Sequence, residues 1–239
     1  MISVAMATYN GIPFIQQQVA SILSELSADD ELIVSDNGSK DGTWAWLQQQ
    51  ASVDTRIHLL LNTDQQGVVA NFANALASCR GDLIFLSDQD DIWLPGRVQT
   101  MSKPFSDDPD LLLVQADAEI IDEVGQMLVP SFFVLRNCGP GILKNFYKNT
   151  WQGCSLCCRR RLVDLVLPFP KGLPMHDMWM GLVAELNGRV QFIPKILLQH
   201  RRHNQNRSEL KPSGWLQVIS WRIRLAGALL TRTLQRYLG

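Results

Sequence analysis

The chain has 239 residues, which suits one domain or one domain with an appendage. Hydrophobic residues make up 46% and charged residues 19%, so a sizeable core is supported and a mainly disordered chain is excluded. A net charge of −1 argues against general nucleic-acid binding, although after Glu209 no acid occurs while Lys211, Arg222, Arg224, Arg232 and Arg236 follow.

The start, MISVAMATYN, lacks a basic region ahead of its apolar residues, and no apolar run reaches the ~18 residues of a spanning helix. A cytoplasmic protein is therefore expected. Ile2 to Ala7 predicts a strand that ends in the turn Thr8-Tyr9-Asn10-Gly11. Phe14 to Leu26 carries apolar residues at helical spacing. Glu31 to Ser35 predicts a second strand, closed by DNGSKDG, and Thr43 to Ala51 a helix. Ile57 to Leu61 predicts a third strand, and Val68 to Ser78, preceded by Gly67, a further helix. Leu83 to Leu86 predicts a fourth strand that runs into the acidic stretch SDQDD. Strands and helices alternate over short connections, the pattern of an α/β, Rossmann-like, mainly parallel sheet flanked by helices.

Sites in such sheets form outside the carboxyl ends of the strands. Three polar turns fall there: Thr8-Tyr9-Asn10, Asp36-Asn37-Gly38 and Asp88-Gln89-Asp90-Asp91. Asp36 and Asn37 also suit a plain turn with Gly38, and Asp91 suits a cap for a helix beginning near Ile92. Asp88 and Asp90 are not explained by turn chemistry, because two carboxylates two apart are suited to sharing one cation.

The second half is less regular. Leu111 to Ile121 predicts a strand, Phe132 to Thr150 a loop-rich stretch, and Gln152 to Cys158 another strand, followed by a short helix to Leu167. Of the five cysteines, Cys154, Cys157 and Cys158 are crowded together. With no second pair at metal-site spacing, they read as small residues on a buried strand. Asp177 opens a helix that Gly188 ends, and Val190 to Leu198 predicts a strand leading into HRRHN. A domain over residues 1–206 and a basic, amphipathic helical extension over 207–239 are expected. The extension is suited either to a membrane surface or to packing on the domain.

Seven stretches in order, SVAMATYN, IVSDNGSKDGT, Asn62 with Gly67 and Asn71, SDQDD, WQGCSL, HDMW and HRRH, resemble the family-two glycosyltransferases. These are inverting enzymes of GT-A fold that use nucleotide-sugar donors. The forms SDQDDIW and HDMW further resemble bacterial rhamnosyltransferases. The resemblance implies that Thr8, Tyr9 and Asn10 hold the nucleotide and that Asp36 reads its base or ribose. Asn71, Gly153 and Arg201 join this donor site, and Asp88 meets ribose or sugar. Asp90 is implied as the ligand of a divalent Mn2+ or Mg2+, with His203 as second ligand and His200 as its competitor. Asp177 is implied as general base, with His176 where the family commonly has Glu.

The chemistry suits these residue types. A nucleoside diphosphate leaves readily only once its charge is neutralised, and a hard cation on carboxylates does that. Arg201 and Arg202 are suited to charge-assisted bonds with phosphates. A carboxylate opposite the leaving group takes the proton of the acceptor hydroxyl. The expectation is a glycosyltransferase of polysaccharide or surface-glycan assembly. It uses a dTDP-, UDP- or GDP-sugar and a glycan or lipid-linked acceptor, in the cytoplasm or peripheral on the inner membrane face. A nucleotidyltransferase would call for a glycine-rich loop where Thr8-Tyr9-Asn10-Gly11 stands, and a dinucleotide enzyme for G-x-G-x-x-G. A non-catalytic sugar-nucleotide-binding subunit is the alternative from another class.

Overall fold

The computed structural model describes residues 1–63, 67–203 and 215–238, with side chains of the last helix described from 220 to 232. The expected domain boundary at 206 lies outside the described residues. Strand β1 (Ile2–Thr8) leads through α1 (Ile15–Leu23) to β2 (Glu31–Asp36), and α2 (Thr43–Val53) leads to β3 (Ile57–Leu61). Helix α3 (Val68–Ser78) then returns the chain to β4 (Leu83–Asp88). All pairings among these strands are parallel, in the order β3-β2-β1-β4. Every residue of β2 is buried, as a strand with both faces covered requires.

The remaining elements extend this sheet. They are β5 (Ile92–Trp93), α4 (Arg97–Asp107), β6 (Leu111–Ile121), β7 (Met127–Val129), α5 (Phe132–Arg136) and α6 (Ile142–Tyr147). A 3-10 turn (Gly153–Ser155), β8 (Leu156–Arg159), α7 (Arg160–Val166), α8 (His176–Asn187), β9 (Arg189–Arg201) and α9 (Trp215–Leu238) follow. The sheet continues β4-β8-β6-β9-β5, with β8 antiparallel between β4 and β6 and with β6 parallel to β9.

The pleat divides the core. Val4, Met6 and Phe85 face Ile15, Val19 and Ile22 of α1 and Met101 and Phe105 of α4. Ala5, Ile84 and Leu86 face Phe72, Ala75 and Leu76 of α3, together with the apolar side of α8. Cys157 and Cys158, neighbours on β8, enter opposite halves of this core, and all five cysteines are free.

Three stretches differ from expectation. Ile92 and Trp93 form a strand against β9 rather than a helix, so Asp91 caps nothing; the next helix starts at Arg97, behind Gly96 at φ 79°. Helix α4 was hidden because its run is polar and carries Pro104; its buried stripe is Arg97, Met101 and Phe105, spaced by four. Residues 132–150 contain two short helices in place of a loop.

The described part of α9 packs on the domain. Leu225 is buried in the second core half with Ala228 and Leu229 against it. Arg232 donates to the carbonyls of Leu167 and Pro168 at 2.9 and 2.7 Å, and its guanidinium lies 5.9 Å from the Trp179 ring. Among the described residues no helix is long and apolar enough to cross a membrane.

Candidate active site

The carboxyl ends of β1, β2 and β4 lie side by side, because Thr8 pairs with Asp36 and Ala7 with Asp88 across the sheet. The three polar turns therefore meet on one edge. Gln89 joins the first to the third: it accepts from Thr8 Oγ1 at 2.5 Å and from Tyr9 N at 2.8 Å, and donates to the Tyr9 carbonyl at 3.1 Å. A Cβ on Gly11 would lie 2.7 Å from Gln89 Oε1, so that close approach requires glycine. Asn10, at φ 50°, accepts from Lys40 N at 2.9 Å, and its own amide donates to Ser39 Oγ at 2.8 Å. The first turn is thereby fastened to the second.

Asp36 is fully buried, and its carboxylate accepts from Gly38 N, Ser39 N and Ser39 Oγ at 2.6–2.8 Å. It shapes the loop that borders the cleft. Asn71 donates to the Thr8 carbonyl at 3.0 Å and accepts from Ser35 Oγ at 2.6 Å, tying β1 to β2 from beneath.

The acidic turn after β4 meets the end of β9. His203 Nε2 lies 2.7 Å from Asp90 Oδ2, and the His203 ring stacks at 4.8 Å on Phe14. His200 points elsewhere, to the buried carboxylate of Asp91, whose Oδ1 lies 2.9 Å from His200 Nδ1 and accepts from Arg201 N at 3.0 Å. Burial opposes both charges, but each holds the other ionised, so Asp91 sits below the usual carboxylate range and His200 above the usual imidazole range. Arg201 is buried as well. Its guanidinium donates to the carbonyls of Asp90, Asp122 and Glu123 and to Gln17 Oε1, between 2.9 and 3.3 Å. These contacts pin the acidic turn to β9, whereas the sequence placed Arg201 at the donor's phosphates. Arg202 is the partly exposed member of the pair.

Asp88 completes the turn. Burial first, and then the charges of Asp91 and Asp90, push its carboxyl up to about 8. The charge of Asp177, 89 residues further along the chain, raises it as well.

Asp177 lies in the first turn of α8 but does not cap it, since the capping position is Met175. Its Oδ1 accepts from Met178 N at 2.6 Å, and the Asn149 side chain and the Gly153 N–H lie beside it. Burial pushes its carboxyl up to about 6 against those hydrogen bonds. His176 turns the other way, stacked on Phe72 at 4.2 Å, and burial holds it neutral by lowering it to about 4. A Cβ on Gly153 would lie 2.7 Å from His176 Nε2, which gives Gly153 a packing role against His176.

Asp90 and His203 present an oxygen and a nitrogen at one spot on the cleft edge, a donor pair that fits Mn2+ or Mg2+. Asp91, Cys154 and His200 form a second set, with ligand atoms within 4.8 Å of one another. It suits a hard cation less well: burial, and then the Asp91 charge, hold the Cys154 thiol well above its usual range and so protonated. Gln89 and Asn149 escaped sequence reasoning. Gln89 is the spacer between two acids, and Asn149 sits in a stretch with no periodicity.

Residues 3–165 match the protein-family model described as Glycosyl transferase family 2. The chain is 29% identical over 195 residues to the Escherichia coli UDP-Glc:alpha-D-GlcNAc-diphosphoundecaprenol beta-1,3-glucosyltransferase WfgD, covering 78% of this chain and 71% of that protein. Its fold is similar to S. aureus TarS 1-349 in complex with UDP-GlcNAc, with TM-score 0.72 and 17% identity over 93% of this chain and 66% of that 1-349 chain. It is also similar to the mannosyltransferase PcManGT from Pyrobaculum calidifontis in complex with GDP-Man and Mn2+. There the TM-score is 0.64, with 20% identity over 100% of this chain and 64% of PcManGT. The chain thus spans just under two thirds of each of these solved structures.

Proposed function

Because this chain belongs to glycosyl transferase family 2, we propose that it moves a sugar from a nucleoside diphosphate donor to a hydroxyl acceptor with inversion, Asp177 acting as general base. The observation that supports this reading is that Asp177 lies beside the Gly153 N–H, while the ligand atom of the next residue, Cys154, lies within 4.8 Å of those of Asp91 and His200 at the acidic turn. The Thr8–Asn10 turn, braced by Gln89 and Asn71, borders the nucleotide, and Asp36 holds the loop at its edge. Asp88 meets the ribose or sugar. Gly153 lets Asp177 and His176 approach, and Arg201 keeps Asp90 in place.

Asp90 and His203 would hold the divalent cation, which when bound neutralises the departing diphosphate. Asp177 receives the acceptor's proton at its carboxylate as the new bond forms. The similarity to WfgD, named for transfer onto a diphosphoundecaprenol acceptor, and to PcManGT, solved with Mn2+, supports a lipid-linked acceptor and a metal-assisted site.

A panel of dTDP-, UDP- and GDP-sugars read by thermal shift tests this. One donor should raise Tm in the presence of Mn2+ and much less without it. Asp177→Asn should keep that shift and lose transfer. Near-normal turnover in Asp177→Asn would remove the base assignment. A nucleotide-dependent shift with no transfer or donor hydrolysis in the parent chain would favour a binding subunit.

A further inference from the structure

Helix α6 buries a polar residue, and much of the apolar surface of α5 and α6 is exposed. The buried residue of α6 is Asn145, which donates to the Gly139 carbonyl and to Glu185 Oε1 at 3.1 Å and accepts from Thr150 Oγ1 at 2.7 Å. Ahead of α5, Ser131 donates to Asp117 Oδ2 at 2.5 Å, and Phe133 N donates to Oδ1 at 2.9 Å. Phe132, Phe133 and Phe146 pack toward the core, but the other large apolar side chains point out: Val134 is 83% exposed, Leu143 84% and Tyr147 86%, with Leu135 and Ile142 also exposed. So many large apolar side chains outside the core, on a stretch of 14 residues (134–147), mark an interaction surface.

Charge selects the partner. No acid occurs between Glu123 and Asp164, a stretch that includes Arg136, Lys144 and Lys148, and none follows Glu209. The two acid-free segments meet in space. Arg222 of α9 donates to the Tyr147 carbonyl at 3.1 Å, and its guanidinium lies 5.8 Å from the Phe146 ring. Beside it Ile223, Arg224 and, two turns on, Leu230 are exposed. Asp117 and Glu185, which contact these helices, are engaged by the hydrogen bonds above, and Asp177 lies beside Asn149 at the patch's border. Apolar tips in a basic, acid-free field are what an anionic lipid surface binds.

We propose that α5 and α6, flanked by the Arg222–Leu230 face of α9, rest on an anionic bilayer. The patch borders the acceptor side of the cleft: Arg136 donates to the Asn149 carbonyl at 3.1 Å, and the Asn149 side chain lies beside Asp177. A membrane-held acceptor would therefore reach the base directly, a consequence that rests on the transfer reaction proposed above; the docking itself does not.

Flotation of the full chain with phosphatidylcholine vesicles containing about one third phosphatidylglycerol, against phosphatidylcholine alone, tests the docking. The chain should float with the anionic vesicles. The double substitution Leu143→Ser, Tyr147→Ser should lower the bound fraction roughly tenfold, while Val53→Ser, an exposed apolar site on α2, should leave it unchanged. Donor-induced thermal shift should be the same in the parent and both variants, which keeps folding and donor binding apart from docking. Flotation without donor turnover would leave the docking standing and the transfer reading fallen. The docking is overturned if the parent chain stays with neutral and anionic vesicles alike in the unbound fraction, or if the double variant floats as well as the parent. It is equally overturned if the patch instead mediates a dimer that the double substitution dissociates.

Discussion

Asp177 gives the sharpest test of how burial shapes this site. Its carboxyl is pushed from 3.8 up to about 6 by burial. A base works only while ionised, so activity is lost as pH falls through that value. Titration about 6 leaves roughly nine tenths of the sites ionised at pH 7 and roughly one tenth at pH 5. A carboxylate at 3.8 would remain more than about nine tenths ionised at pH 5. The expected result is about a tenfold fall in kcat/KM between pH 7 and pH 5, measured with the donor identified by thermal shift and with circular dichroism confirming the fold. Asn149→Ala removes a hydrogen bond that favours the ionised form, so the midpoint should move upward. Asp177→Asn should lower the rate by roughly 10²–10⁴, about 3–5 kcal/mol of barrier. A flat parent profile across this range, or an Asn149→Ala midpoint that does not move, would refute the reasoning.

The same raised value makes a prediction for stability. The protonated form is the one the fold favours, so the penalty grows as pH rises through 3.8 and is complete above about 6. At most ~3 kcal/mol is involved, and partial exposure of the carboxylate reduces this to about 1 kcal/mol. Asp177→Asn should therefore raise Tm at pH 7.5 and change it little near pH 4. Gly181→Ala should destabilise by about 1–3 kcal/mol in urea unfolding despite alanine's better helix propensity, because its Cβ would lie 2.1 Å from Trp151 Nε1. Asp91→Ala leaves His200 buried without its carboxylate and should cost about 3–5 kcal/mol in the same assay. His203→Ala should weaken Mn2+ binding about 10–100-fold by calorimetry, with His200→Ala acting on stability first.

The parallel half of the fold was legible because its strands are short apolar runs that end in turn residues at the sheet's working edge. The acidic turn was legible for the same reason, since local spacing alone separates Asp88 and Asp90 from turn chemistry. What spacing does not carry is direction. Asp36 and Asp88 look alike as strand-end carboxylates, yet one is held by its own turn and the other is buried among the charges of Asp91 and Asp90. Arg201 and Arg202 are adjacent, and the alternation of β9 buries the first against the acidic turn. Helix α4 stayed hidden because its buried stripe begins with an arginine. That guanidinium is accommodated by geometry the sequence does not show: it donates to the carbonyls of Leu197 and Cys154 and lies 4.7 Å from the Trp93 ring.

The Asp90–His203 pair joins positions 113 residues apart, and this has a consequence for how the protein is made. Synthesis runs from the N-terminus, and contacts so distant in sequence form late. The nucleotide-side turns are complete once β4 has emerged, and a chain halted at residue 165 would still hold all of them. It would lack Asp177, His203 and β9, the partner of β6 along most of its length. With the roles proposed above, a nascent chain would shape the nucleotide-side turns well before it could hold a cation or accept a proton, and both would arrive with the closing of the last strand.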